Sequence, residues 1–153
     1  MRGLLRVFLY SLLILFLLLV GYVIYMQRLV GVHPKTIEYN ATLRTTLIEE
    51  GYAANYIITS TVRPKWFNDL LVKYGGAASK SQHLQAKAID IAVLDVNGDG
   101  SANSKDVNIV YDILNKKIIG NKGGIGTYKN GNYFLDRQMV HFDSRGYRAR
   151  WHR

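Results

Sequence analysis

A histidine and a carboxylate stand seven positions apart in Ser81-Gln82-His83-Leu84-Gln85-Ala86-Lys87-Ala88-Ile89-Asp90-Ile91. The carboxylate lies inside an apolar run. Ala88 to Leu94 reads as a buried strand, where an ionised carboxylate is costly unless it is paired, hydrogen-bonded or bound to a metal. His83 lies in the polar segment just upstream and can fold back over that strand. Neutral imidazole and carboxylate are both zinc ligands, and a catalytic zinc site takes three such ligands and keeps a position open for water. The other histidines are His33, His141 and His152. Of these, His141 lies in a second short apolar segment, Met139-Val140-His141-Phe142-Asp143. His83, Asp90 and His141 are therefore the candidate metal ligands. A purely structural His–Asp pair is the plain alternative.

A second constellation follows directly. Asp95-Val96-Asn97-Gly98-Asp99-Gly100-Ser101-Ala102-Asn103-Ser104-Lys105-Asp106 carries oxygen ligands at loop positions 1, 3, 5, 7, 9 and 12, with glycine at 6. This is the calcium-loop pattern of EF-hands, with Asp in place of Glu at the last position. The aspartate ending resembles the dockerin variant. The candidate calcium ligands are Asp95, Asn97, Asp99, Ser101 and Asp106; the alternative is an Asn/Asp/Gly-rich turn. Val107, Val110, Tyr111 and Leu114 give the exiting segment one apolar helical face.

Several pieces taken together resemble a known family. Ser81-x-His83-x6-Asp90, Gly123-Gly124-Ile125-Gly126-Thr127-Tyr128, Val140-His141-Phe142-Asp143-x-Arg145-Gly146 and Arg150-Trp151 occur in the order and spacing of the zinc D-Ala-D-Ala carboxypeptidase-like peptidases. These share their metal-site fold with the Hedgehog signalling domain. The resemblance covers residues 40 to 151 and implies zinc on His83, Asp90 and His141. Ser60-Thr61-Val62-Arg63-Pro64 resembles the family's substrate-facing arginine segment, so Arg63 is expected to grip a substrate carboxylate through its planar fork. Ser81 is expected to fix the loop around His83 or to help hold substrate. Tyr128 is a candidate for the substrate groove, with core packing as the alternative. Many relatives carry a glutamate three residues before the last histidine, where this chain has Gln138, which cannot take a proton. Asp143 is then the expected proton acceptor, since residues i and i+2 of a strand share a face, with Asp136 behind it. The calcium loop is not part of the family's pattern.

The elements that position these residues start at the N-terminus. Residues 7–26 carry no charge, about the length that crosses a ~30 Å hydrocarbon core. Arg2 and Arg6 precede this segment, and Tyr22 and Tyr25 lie near its far end, where aromatic side chains favour the interface. A cleaved signal has a shorter apolar core and a small-residue site, which Tyr22 to Arg28 does not offer. The expectation is an uncleaved anchor over 1–28, a juxtamembrane linker over 29–39 and a peptidase-like domain over 40–153 with the calcium loop inserted at 95–106. The expected setting is a bacterial cytoplasmic membrane with the C-terminal domain on its periplasmic or extracellular side. Asn40 reads as the cap of a helix over 41–50, closed by Gly51. Trp66 to Tyr74 reads as a helix with Phe67, Leu70 and Leu71 inward. Asn130-Gly131 predicts a hairpin turn between Ile125–Tyr128 and Tyr133-Phe134.

Composition bounds the rest. The chain has 153 residues, room for one domain, and no cysteine, which excludes disulfides, thiolate ligands and thiol nucleophiles. The net charge is +9, and the exported part stays basic once Arg2, Arg6 and Arg28 are set aside. Arg145, Arg148, Arg150 and Arg153, with Tyr147 and Trp151 among them, form a cluster of a kind that can bind nucleic acid. An exported domain meets none, so carboxylate-rich wall peptides or anionic head groups are the better partners, and a solvated basic tail is the alternative. His33 and His152 read as solvated. The predicted fold is α+β, a small, mainly antiparallel sheet with strands near 56–61, 88–94, 125–128 and 139–143 and helices packed against it. The implied function is a membrane-anchored zinc peptidase acting on peptidoglycan stem peptides. The alternatives are a wall-binding module that kept the metal and lost its base, and a tethered calcium-loop interaction domain.

Overall fold

The computed structural model describes residues 2–128 and 138–152. The elements are helix α1 (Arg2–Gln27), helix α2 (Pro34–Glu49), strand β1 (Tyr56–Ser60), helix α3 (Lys65–Tyr74), strand β2 (Ala88–Val93), helix α4 (Ser104–Ile113) and strands β3 (Gly124–Thr127), β4 (Met139–Asp143) and β5 (Ala149–His152). A 3-10 turn at Gln82–Gln85 precedes β2, and a π-helical turn at Leu114–Ile118 extends α4. The strands form one sheet in the order β1-β2-β4-β3-β5. All neighbours are antiparallel except β3 and β5. The α+β architecture and the four predicted strands are present.

The fifth strand is the main addition. Ala149-Arg150-Trp151-His152, read as part of a basic cluster, pairs parallel with β3 instead of trailing into solvent. Its arginines hide the strand signal, but their stems and donors are used. Arg150 Nη1 donates to Gly123 O at 2.7 Å, and its Nε donates to Asn115 Oδ1 at 2.8 Å.

The pleat divides β2 into two jobs. Ile89, Ile91 and Val93 join Leu43 and Leu47 of α2 and Val110 of α4 in the core. Ala88, Asp90 and Ala92 point to the other face, as alternation requires. On β4, Val140 and Phe142 belong to the core, which leaves His141 and Asp143 on the face that carries Asp90. Register completes the arrangement: Asp90 is opposite His141, His141 opposite Gly126, and Gly126 opposite Trp151. One row across four strands thus holds a carboxylate, an imidazole, a bare backbone position and an indole.

Several local expectations change. Helix α2 begins at Pro34, not after Asn40, because proline at the first helical position loses no intrahelical bond. His33 is its cap, with Nδ1 accepting from Lys35 N at 3.2 Å, so it is not a solvated loop residue. Residues 34–39, expected in a linker, bury Thr36 and Tyr39, while Asn40 is inside the helix and accepts from Tyr56 Oη at 3.1 Å. Helix α3 is not packed as expected either: Phe67 and Leu70 are exposed, and its buried residue is Asn68. His152, expected to be solvated, lies in β5 with Nδ1 2.6 Å from Thr127 Oγ1. The predicted hairpin turn at Asn130-Gly131, Tyr133-Phe134 and the reserve acid Asp136 lie outside the described residues.

Helix α1 contains a stretch, Leu4–Tyr22, long and apolar enough to cross a membrane, none of it buried by the rest of the chain.

Candidate functional site

Each member of the His83/Asp90/His141 set is positioned by a different device. Ser81 caps the 3-10 turn, its Oγ accepting from His83 N at 3.4 Å. Ala86 then closes the turn in the left-handed region at φ 56°, a conformation that costs a non-glycine residue about 1–2 kcal/mol. That bend swings the chain into β2 and leaves His83 over the Asp90 face, only 2 % exposed. Asp90 and His141 are fixed by the sheet register. One ligand atom from each of the three lies within 4.8 Å of the others.

The hydrogen bonds distinguish the candidate ligand atoms. His83 Nδ1 is 2.5 Å from Thr61 O. A carbonyl only accepts, so Nδ1 carries the proton and Nε2 of the neutral ring is a lone pair. Nε2 lies 3.0 Å from Asp90 Oδ2, yet it is buried and unaligned for a hydrogen bond there. Two acceptors this close call for a cation between them. Imidazole held by a backbone carbonyl is also the usual way a metal-binding histidine is oriented. His141 mirrors this, with Nδ1 2.7 Å from Asp90 Oδ1 and Nε2 2.9 Å from Asp143 Oδ2. Two nitrogens and one carboxylate converging with an unpartnered lone pair fit a zinc ion.

Charge at the site is balanced by neighbours. Burial disfavours the Asp90 anion, but its charged and hydrogen-bonding neighbours, the His141 N–H among them, outweigh that and hold its carboxyl well below the usual range. Burial also disfavours the His141 cation, and Asp143 and Asp90 overcome this, raising its pKa to about 9. Arg63 adds positive charge, with Nη2 3.5 Å from Asp90 Oδ2 and 3.2 Å from Ser60 Oγ. Its Nη1 donates to Asn68 Oδ1 at 3.3 Å, and its Nε is buried without a partner.

Asp143 departs from expectation. Its carboxylate is fully buried and accepts from Gly124 N at 3.0 Å, Arg145 N at 3.1 Å and Arg145 Nη2 at 2.5 Å, besides touching His141 Nε2. It stands behind the imidazole, on the edge away from Asp90, with its oxygens already engaged. A carboxylate so placed orients His141 and is badly placed to accept a proton from a water in the cleft. The i, i+2 spacing put it on the right face of the sheet but on the wrong side of the ring.

A cleft of ≈ 580 Å³ opens over His83, Asp90 and His141, and Arg63, Ser81 and Tyr128 all line it. Among the described residues lining it, Asp90 is the only carboxylate. Gln138 is not there; its Nε2 donates to Ala102 O at 2.5 Å instead. Trp151, expected in a basic aromatic cluster, forms a wall of the cleft instead, its ring 5.0 Å from that of His141 and 5.2 Å from the Arg145 guanidinium. The signal was present as Arg150-Trp151, but a strand was needed to bring it across. Gly126 makes the approach possible: a Cβ there would collide with the Trp151 indole. Gly126→Ala is expected to push the indole off His141 and to destabilise the fold by about 1–3 kcal/mol, as overpacking does, readable by chemical denaturation.

In the loop at 95–106 the expected ligand side chains accept from main-chain amides of the loop itself, and Asp95, Asp99 and Asp106 do not converge on one point as His83, Asp90 and His141 do. Asp95 Oδ1 accepts from Gly98 N at 2.8 Å and Asp99 N at 3.1 Å, and its Oδ2 from Gly100 N at 2.9 Å. Asn97 Oδ1 accepts from Asp99 N at 2.9 Å, and Asp99 Oδ1 from Ser101 N at 3.0 Å. Gly100 holds φ +85° at the sharp turn. Asp106 is buried, with Oδ1 accepting from Val96 N and Asn97 N and Oδ2 from Asn103 N in the capping box that starts α4.

A family model described as Peptidase M15 matches residues 27–114. That range takes in Arg63, His83, Asp90 and the 95–106 loop and ends before His141. No match was found among curated proteins. Among solved structures, the crystal structure of the Serratia marcescens L-Ala D-Glu endopeptidase ChiX is similar, at 16 % identity and a TM-score of 0.49 over 77 % of this chain and 84 % of that one.

Proposed function

The chain belongs to the peptidase M15 family, and on that basis we propose that it is a membrane-anchored, zinc-dependent peptidase acting on the stem peptides of peptidoglycan. The observation that carries the zinc reading is the buried lone pair of His83 Nε2, facing Asp90 across 3.0 Å with Nδ1 committed to Thr61 O. His83 Nε2, a carboxylate oxygen of Asp90 and His141 Nδ1 would hold the ion. When bound there, zinc supplies a Lewis acid for the scissile carbonyl and a water with pKa lowered toward ~7.

The chain's own groups do the rest. Asp143 fixes the His141 ring so that Nδ1 faces Asp90. Arg63 offers its guanidinium at the cleft wall for a substrate carboxylate or carbonyl. Tyr128 and Trp151 wall the cleft, and Ser81 holds the His83 turn. Helix α1 anchors the chain in the bacterial cytoplasmic membrane with residues 29–153 outside. A second reading, a metal-containing wall-binding module, is favoured by one observation: Gln138 replaces the relatives' acid and is tied to Ala102. The test is mass spectrometry of purified muropeptides incubated with the zinc-loaded full chain and with a chelated control. Zinc-dependent loss of a terminal residue, or a cut within the stem, supports the peptidase. Intact peptides with zinc bound support the binding module.

Calcium in the 95–106 loop is part of the same proposal. Asp106 accepts from the main-chain amides of Val96, Asn97, Asn103 and its own residue, so an ion held with Asp95, Asn97, Asp99 and Ser101 would take the place of some of those bonds. Calcium at 100 times its Kd is expected to stabilise the fold by about 2.7 kcal/mol, roughly 5–10 °C in Tm for a domain of this size. Asp95→Ala should remove the shift. An unchanged Tm in wild-type protein would dismiss the ion.

A further inference from the structure

We propose that α3 is a second membrane contact, an interfacial helix whose apolar stripe lies in the head-group layer of the bilayer that α1 crosses, so that the metal cleft opens at the membrane surface. The proposal rests on the reading of α1 as a membrane span.

Helix α3 is turned inside out relative to the rest of the domain. Its buried residue is polar: Asn68 is 0 % exposed, donates to Ala78 O at 3.2 Å and accepts from Arg63. Its apolar residues face outward, with Trp66 67 %, Leu70 46 % and Tyr74 71 % exposed. At 3.6 residues per turn, Trp66, Phe67, Leu70, Leu71 and Tyr74 fall on one stripe, and Lys65, Asn68, Asp69 and Lys73 on the other side. An apolar stripe carrying Trp and Tyr, backed by lysines, is the pattern of helices that lie in a membrane interface.

Two further observations choose the bilayer as the occupant. Tyr22, the last residue of the apolar span of α1, lines the same cleft as Phe67, Leu71 and Tyr74. The stripe therefore stands at the depth where α1 leaves the hydrocarbon. The charges around it also suit anionic head groups: Lys65, Lys73 and Lys80 are exposed, with Lys73 Nζ 5.0 Å over the Tyr74 ring. A cleft shared by the span, the stripe and the metal ligands would meet peptides presented next to the membrane first.

The test uses the full chain in phosphatidylcholine–phosphatidylglycerol vesicles and reads tryptophan quenching by lipids brominated near the head group. The chain has two tryptophans, Trp66 and Trp151, so the difference between wild type and Trp66→Phe isolates Trp66. The Trp66 signal is expected to be quenched by about half or more by brominated lipid and shielded from aqueous iodide. Leu70→Glu, outside the cleft lining, should cut that quenching roughly twofold or more with zinc content unchanged. A Trp66 signal untouched by brominated lipid, in protein that floats with the vesicles, overturns the proposal: open to iodide it leaves α3 in water, and shielded from iodide it puts a second copy of the chain over α3. Protein that does not float with the vesicles overturns the anchor reading of α1 and the proposal together.

Discussion

Replacing His83 with alanine is expected to take bound zinc from about one ion per chain to near none and to stop peptide hydrolysis. Two protein ligands would remain, and a catalytic zinc site needs three. The vacated volume also leaves the Thr61 carbonyl without its donor and Asp90 with a histidine on one side only, so no neighbouring group can substitute. Loss of activity by roughly 100-fold or more corresponds to about 2.7 kcal/mol or more in the barrier. Metal content by elemental analysis and hydrolysis by mass spectrometry should fall together. His33→Ala and His152→Ala should keep their zinc, because His33 caps α2 and the His152 ring is held by Thr127. Stoichiometric zinc in the His83 variant would refute the ligand assignment.

Asp143→Asn separates two roles that both predict an impaired enzyme. If Asp143 positions His141, the amide weakens the hold on Nε2, and zinc affinity drops about 10–100-fold, the usual cost of losing a partner behind a ligating histidine. Hydrolysis then returns when zinc is raised to saturation. If Asp143 were the proton acceptor, kcat would stay low at every zinc concentration while zinc binding was kept. The geometry favours the first outcome, because His141 Nε2, Gly124 N and Arg145 already occupy the carboxylate. Arg145 would also lose its buried counter-charge, so a folding check by circular dichroism belongs with the experiment.

The juxtaposition of His83, Asp90 and His141 is largely legible in the sequence. Asp90 announced itself as a carboxylate in an apolar strand, and His141 as a histidine in a second one; antiparallel pairing then placed them opposite each other. Alternation correctly put Asp143 on the same face as His141, but periodicity cannot tell which edge of an imidazole a neighbour will touch. That distinction depends on Gly124, where the absence of a Cβ makes room for the Asp143 carboxylate and Arg145. The same limit applies to α3. Its stripe is visible in the sequence, but a stripe does not say what it meets, and only the bond from Asn68 to Ala78 O shows that the polar side is the one turned to the domain. Strand β5 was missed because arginines masked it, and its parallel partner β3 lies 25 residues away in sequence (Thr127 to His152). The start of α2 is signalled by proline at the first helical position with His33 as its cap, a pattern that His33-Pro34 shares with an ordinary loop.

The most direct measurement is anomalous diffraction on either side of the zinc edge from crystals of the zinc-loaded full chain. One anomalous peak enclosed by His83 Nε2, the Asp90 carboxylate and His141 Nδ1 is the predicted result. A zinc peak elsewhere, or none between these three groups in zinc-containing protein, would contradict the account.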